Sequence, residues 1–180
     1  MCRSRRDRGF TLVELLAVVA IIGVLAVLAV AGFRKYMNSA RTGDAKSIIA
    51  GIRVAEESYR AETLSYLSCS TTLEQYYPAT KPDGKKRHWV QKTHARFDDW
   101  MTLNVVTDSP TAFVFAVNAG GPGTAPPAPS TSSKPTWPSP TTEPWYVIQA
   151  AGDSDQDGKT FALLVSSSFN GEIYVENDAE

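Results

Sequence analysis

Two hydrophobic patterns lie end to end in the first third of the chain. From Phe10 to Phe33 the run is apolar apart from polar Thr11, two glycines and one charge, Glu14. At about 1.5 Å per helical residue such a stretch reaches roughly 35 Å, enough for a bilayer core of about 30 Å. Past Phe33, Tyr36, Ala40, Ala45, Ile48, Ile52, Ala55 and Tyr59 recur every three to five residues, with Arg41, Asp44, Lys46, Arg53, Glu56, Glu57 and Arg60 filling the other side. The spacing predicts an apolar helix over 10–33 continued by an amphipathic helix over 34–67, whose stripe lies on a folded domain.

The period changes after Cys69. Residues 68–96 carry Pro78, Pro82 and Asp83-Gly84 and read as a connecting loop with at most a short strand or hairpin. β-branched and aromatic residues predict strands at 101–107, 111–119, 145–151, 161–168 and 171–177, joined antiparallel by short connections. Between the second and third of these, residues 120–144 hold eight of the eleven prolines, which excludes helix or a central strand and predicts an exposed, extended loop. The fold class that results is α+β, with a long N-terminal helix packed on one face of an antiparallel sheet in a head domain over 68–180.

Charge refines the N-terminal reading. The formal net charge is −1, yet Arg3, Arg5, Arg6 and Arg8 face only Asp7 within residues 1–9, so the remainder is mildly acidic and a nucleic-acid-like bulk charge is absent. Arginines ahead of the apolar run favour a cytoplasmic N-terminus, an argument weakened by Arg34 and Lys35 behind it. A basic head and an apolar run also begin ordinary secretory signals, and Ala29-Val30-Ala31 before Gly32 has the look of a small-residue cleavage site. Against that, secretory apolar regions are usually about 7–15 residues, and a segment destined for removal has no use for Glu14.

Arg8, Gly9, Phe10, Thr11, Leu12, Val13 and Glu14, read with the short basic leader and the apolar helix, resemble the prepilin family, the subunits of type IV pili and related secretion-system pseudopilins. The resemblance implies removal of leader 1–9 by prepilin peptidase between Gly9 and Phe10, N-methylation of Phe10, and retention of helix 10–33 in the inner membrane. Assembly with other pilin subunits into an extracellular filament by the pilus machinery follows from the same resemblance. The family commonly has a proline near the membrane exit, where this chain has Ala31-Gly32. Cleavage frees an α-amine whose usual pKa is near 8, so Glu14 of one subunit can pair with the Phe10 ammonium of another and relieve the cost each charge bears alone in apolar surroundings. The long loop 120–144 favours a type IV pilin over a type II secretion pseudopilin; motility, adhesion, DNA uptake and secretion are not separated by the sequence.

Three further stretches invite chemistry. Residues 152–160, Gly-Asp-Ser-Asp-Gln-Asp-Gly-Lys-Thr, superficially resemble a phosphate loop, but three carboxylates repel phosphate and a strand follows. Asp153, Asp155 and Asp157 instead match the first half of a calcium loop, with Leu164 where a bidentate Glu belongs, and no other cofactor is expected. The loop 81–96, with Lys85, Lys86, Arg87, Lys92 and Trp89, has the charge and the aromatic to hold DNA or another polyanion such as an acidic polysaccharide, the basis of an alternative reading as a secreted or pilus-tip binding module. His88 and His94 have no cysteine nearby for zinc, Cys69 reads as a core filler, and no nucleophile–base arrangement points to an enzyme.

Overall fold

The computed structural model describes residues 10–132 and 135–178. The leader 1–9, Ser133, Lys134, Ala179 and Glu180 lie outside the described residues. The chain divides into two compact units, ending at Met37 and starting at Asn38, with the boundary inside one helix, α1 (Leu12–Thr63).

In the first unit α1 is exposed along its apolar length, from Leu12 at 81% to Phe33 at 64%. It is long and apolar enough to cross a membrane, and among the described residues no other helix is. Gly32 does not interrupt it.

In the second unit α1 buries Ala45, Ile49, Ile52 and Glu56 completely, at helical intervals of three and four, against the sheet. Ile48, Ala55 and Tyr59 pack at the margin, whereas Tyr36 is exposed. Glu56, placed on the polar side by its charge, therefore belongs to the buried stripe. The helix ends at Thr63, four residues before the expected limit, because Leu64 turns into the left-handed region at φ 61° and its amide closes the last turn on Arg60 O at 2.8 Å.

The strand expected at 101–107 is corrected to a short helix, α2 (Phe97–Leu103), followed by loop. Its Trp100 and Leu103 are buried three residues apart, and Asp98 and Asp99 stand at its positive end, so helical spacing and dipole chemistry override the β-rich composition. Four strands follow, β1 (Val114–Gly120), β2 (Trp145–Gly152), β3 (Ala162–Ser167) and β4 (Ile173–Glu176), in an antiparallel sheet of order β1-β2-β3-β4. Isolated bridges hold the 68–96 connection to β1 at Tyr77–Phe115 and to the residues just ahead of it at Arg87–Thr111.

Alternation assigns the faces. Phe115, Val117, Tyr146, Ile148, Ala150 and Leu164 join the helix, Trp89 and Trp100 in the main core. The opposite side chains, including Val114, Ala116, Trp145, Val147 and Val165, are buried too, so the second face is also covered.

The segment 120–144 is largely exposed loop, as its prolines require, yet part of it covers this second face. Gly120 and Trp145 are register partners, so the segment leaves and re-enters the sheet at facing positions. Trp137 packs with Phe169 at 5.5 Å between ring centroids and donates Nε1–H to Pro127 O, while Thr131 and Thr141 are buried. Gln149, fully buried in β2, donates to Leu73 O at 3.1 Å, Tyr76 Oη at 2.8 Å and Ser130 Oγ at 3.2 Å, and accepts the Ser130 amide at 2.8 Å. One side chain thus fastens both covering segments to the second face.

Candidate functional site

The start of α1 resolves how Glu14 is accommodated in a single chain. Thr11 directly precedes the first helical residue, and its Oγ1 accepts the Glu14 amide at 3.3 Å. In return Glu14 Oε2 accepts the Thr11 amide at 2.9 Å and the Thr11 hydroxyl at 2.7 Å. This is a capping box, with Thr11 as N-cap and Glu14 as the third helical residue. The carboxylate satisfies donors the helix leaves open and sits at its positive end. Thr-Leu-Val-Glu is the sequence signature of that box, so spacing alone could have revealed it. Phe10 is exposed at 73%, and Gly9 lies outside the described residues.

The basic loop divides on inspection. Lys81, Lys85, Lys86 and Lys92 are exposed. Arg87 forms a bidentate pair with Asp83, at 2.6 and 2.7 Å, and that guanidinium holds the Asp83 carboxyl down at about 2. Arg96 is spent on the Cys69 and Ser68 carbonyls and on Asp99. Trp89 is buried, edge-on to Tyr77 and Trp100, and its carbonyl accepts the Tyr77 hydroxyl, so it offers no face for stacking a base. His94 also packs edge-on against Tyr77, and burial holds its imidazole below the ordinary value. Cys69 is fully buried in the main core, where burial pushes its thiol pKa up.

The acidic loop, residues 153–161, closes the β2–β3 hairpin, whose mouth is the pair Gly152–Ala162. One carboxylate oxygen from each of Asp153, Asp155 and Asp157 lies within 4.8 Å of the others. Asp155 and Asp157 are exposed and accept backbone amides within the loop. Asp153 is only 3% exposed; its Oδ2 accepts the Gly158 amide at 3.2 Å, while Oδ1 is buried without a hydrogen-bond partner. No helix follows the loop, so a phosphate site of the helix N-terminus type is excluded by the strand β3.

An exposed apolar helix that opens on a capped glutamate, and a helix-plus-sheet head, define an α+β chain of pilin-like architecture. Residues 4–30 match the family model of the prokaryotic N-terminal methylation motif, the signature of type IV prepilins. No curated protein and no solved structure matches the chain.

Proposed function

We propose that the chain is the precursor of a type IV pilin-like filament subunit. The observation that carries this reading is the methylation motif over residues 4–30 coinciding with an exposed apolar helical stretch, to Phe33, whose one carboxylate, Glu14, lies in the first turn. Prepilin peptidase cuts between Gly9 and Phe10, Phe10 is N-methylated, and the helix anchors the subunit in the inner membrane until the pilus machinery draws it into an extracellular filament. The cut leaves Thr11 and Glu14 intact, so the capping box persists in the mature chain. In the filament Glu14 also pairs with the Phe10 ammonium of another subunit, since Thr11 occupies only Oε2 and the second carboxylate oxygen retains acceptor capacity. The packed apolar helices supply attraction and the charge pair sets register.

Mass spectrometry of the mature N-terminus tests the reading. A chain beginning with methylated Phe10 is the expected result, and one beginning at Gly32 marks an ordinary secreted protein instead.

A second reading, contact with DNA or another polyanion, rests on the exposure of Lys85, Lys86 and Lys92. It is a surface-charge role compatible with a filament subunit.

A further inference from the structure

The strongest unexplained feature outside the N-terminal motif is the carboxylate of Asp153. A residue 3% exposed places Oδ1 where it has no hydrogen-bond partner, and two more carboxylates converge with it to within 4.8 Å. Burying an unpartnered anionic oxygen is costly, and adding two like charges raises that cost. Among the described residues no salt bridge reaches any of the three.

We propose that the β2–β3 loop is a calcium site, held by the carboxylates of Asp153, Asp155 and Asp157. Oxygens at alternate positions, followed by Gly158 at φ 70°, reproduce the first turn of a hard-cation loop, in which the next residue, here Lys159, supplies a backbone carbonyl. All-oxygen donors exclude the soft metals that select thiolate. Leu164 stands where a closing bidentate carboxylate would be, and it is fully buried in β3, so that ligand is missing and water fills the shell on the side where Asp155 and Asp157 are exposed. Calcium accepts such a loose, partly hydrated set, whereas magnesium demands a near-ideal octahedron. A site short of one carboxylate belongs with the weak extracellular class, with a dissociation constant of about 10⁻⁴–10⁻³ M.

The location gives the ion a structural consequence. Gly84, at φ 65°, approaches so closely that a Cβ there would lie 2.1 Å from Asp153 O, so the 81–86 turn and the acidic loop are in direct contact. Ordering the loop orders this contact.

Calcium titration calorimetry on the chelator-stripped full chain in detergent, with parallel thermal melts, tests the proposal independently of filament assembly. Saturable binding near one ion per chain and a calcium-dependent rise in melting temperature are expected, with neither from magnesium at equal concentration. Asp155→Asn with Asp157→Asn, both at exposed positions, should weaken binding by about tenfold or more, while the calcium-free melt, relieved of two like charges, should not fall. Absence of saturable binding in the unmodified chain up to about ten times the expected constant overturns the proposal whatever the variants do. Unaltered affinity in the double variant, or an equal response to magnesium, overturns it as well.

Discussion

The Thr11 amide and hydroxyl both donate to a single oxygen of Glu14, at 2.9 and 2.7 Å. The charge in the apolar run is therefore already committed within its own chain. One observed role, helix cap, and one proposed role, intersubunit partner, fall on the same carboxylate, and substitutions can separate them. Glu14→Gln keeps an acceptor for Thr11 but removes the charge; it should leave processing and membrane insertion largely intact and sharply reduce sheared filaments on immunoblots. Thr11→Ala removes the cap hydroxyl at about 1 kcal/mol and leaves the charge, so filaments should persist. Normal filament yield from Glu14→Gln would show that intersubunit charge pairing is not what the residue provides.

Glu56 makes the head sensitive to pH. Its Oε2 accepts the Leu67 amide at 3.0 Å, Oε1 is buried without a partner, and burial pushes its carboxyl from 4.5 up to about 8. Below pH 4.5 both folded and unfolded chains hold the proton, so the penalty is absent. As pH rises from 4.5 to 8 the unfolded chain gives up its proton first, so stability falls across that window and the full penalty from this one group is reached above 8. Glu56→Gln should flatten this dependence and stabilise the chain at pH 8 by about 1–3 kcal/mol, read from urea unfolding at pH 5 and 8.

Removing the Gln149 amide should loosen the cover of the second sheet face. Gln149→Leu strands Leu73 O, the Ser130 amide and the Tyr76 hydroxyl in a buried setting, at a cost of about 1–3 kcal/mol. Thermal melts read the loss, and limited proteolysis should show faster cutting within 120–144. Unchanged cutting would mean the cover is held by Trp137 and its neighbours instead.

For the second functional reading, Lys85→Glu with Lys86→Glu should weaken DNA retention and flatten its dependence on salt, as expected when phosphate contacts are lost. Equal retention and an equal salt slope in filter binding would remove DNA from the list of partners. Arg87, already locked to Asp83, should be omitted from the design, because its loss acts on the loop rather than on a ligand.

Which parts of this fold can be read from the residues follows from how local their causes are. The apolar run, the strands β2 and β3 and the antiparallel order rest on short-range periodicity, and each is found close to its expected span. Thr-Leu-Val-Glu is equally local: the cap between Thr11 and Glu14 depends only on residues three apart, whereas an intersubunit role for Glu14 rests on the family resemblance. Residues 101–107 read as a strand because Trp100, which with Leu103 defines the helical spacing, falls just ahead of the β-rich window. The burial of Glu56 and the roofing by 120–144 depend on Leu67, Gln149 and Phe169, partners distant in sequence that no local pattern announces.

The proline-rich segment starts at one member of a facing pair, Gly120, and finishes at the other, Trp145. A peptide bond severed anywhere along it would leave both flanking strands zipped to each other, and Ser130 and Ser132 anchored to Gln149 and Glu176 respectively. The head would thus survive a nick as two fragments behaving as one body, visible as separate bands only after denaturation.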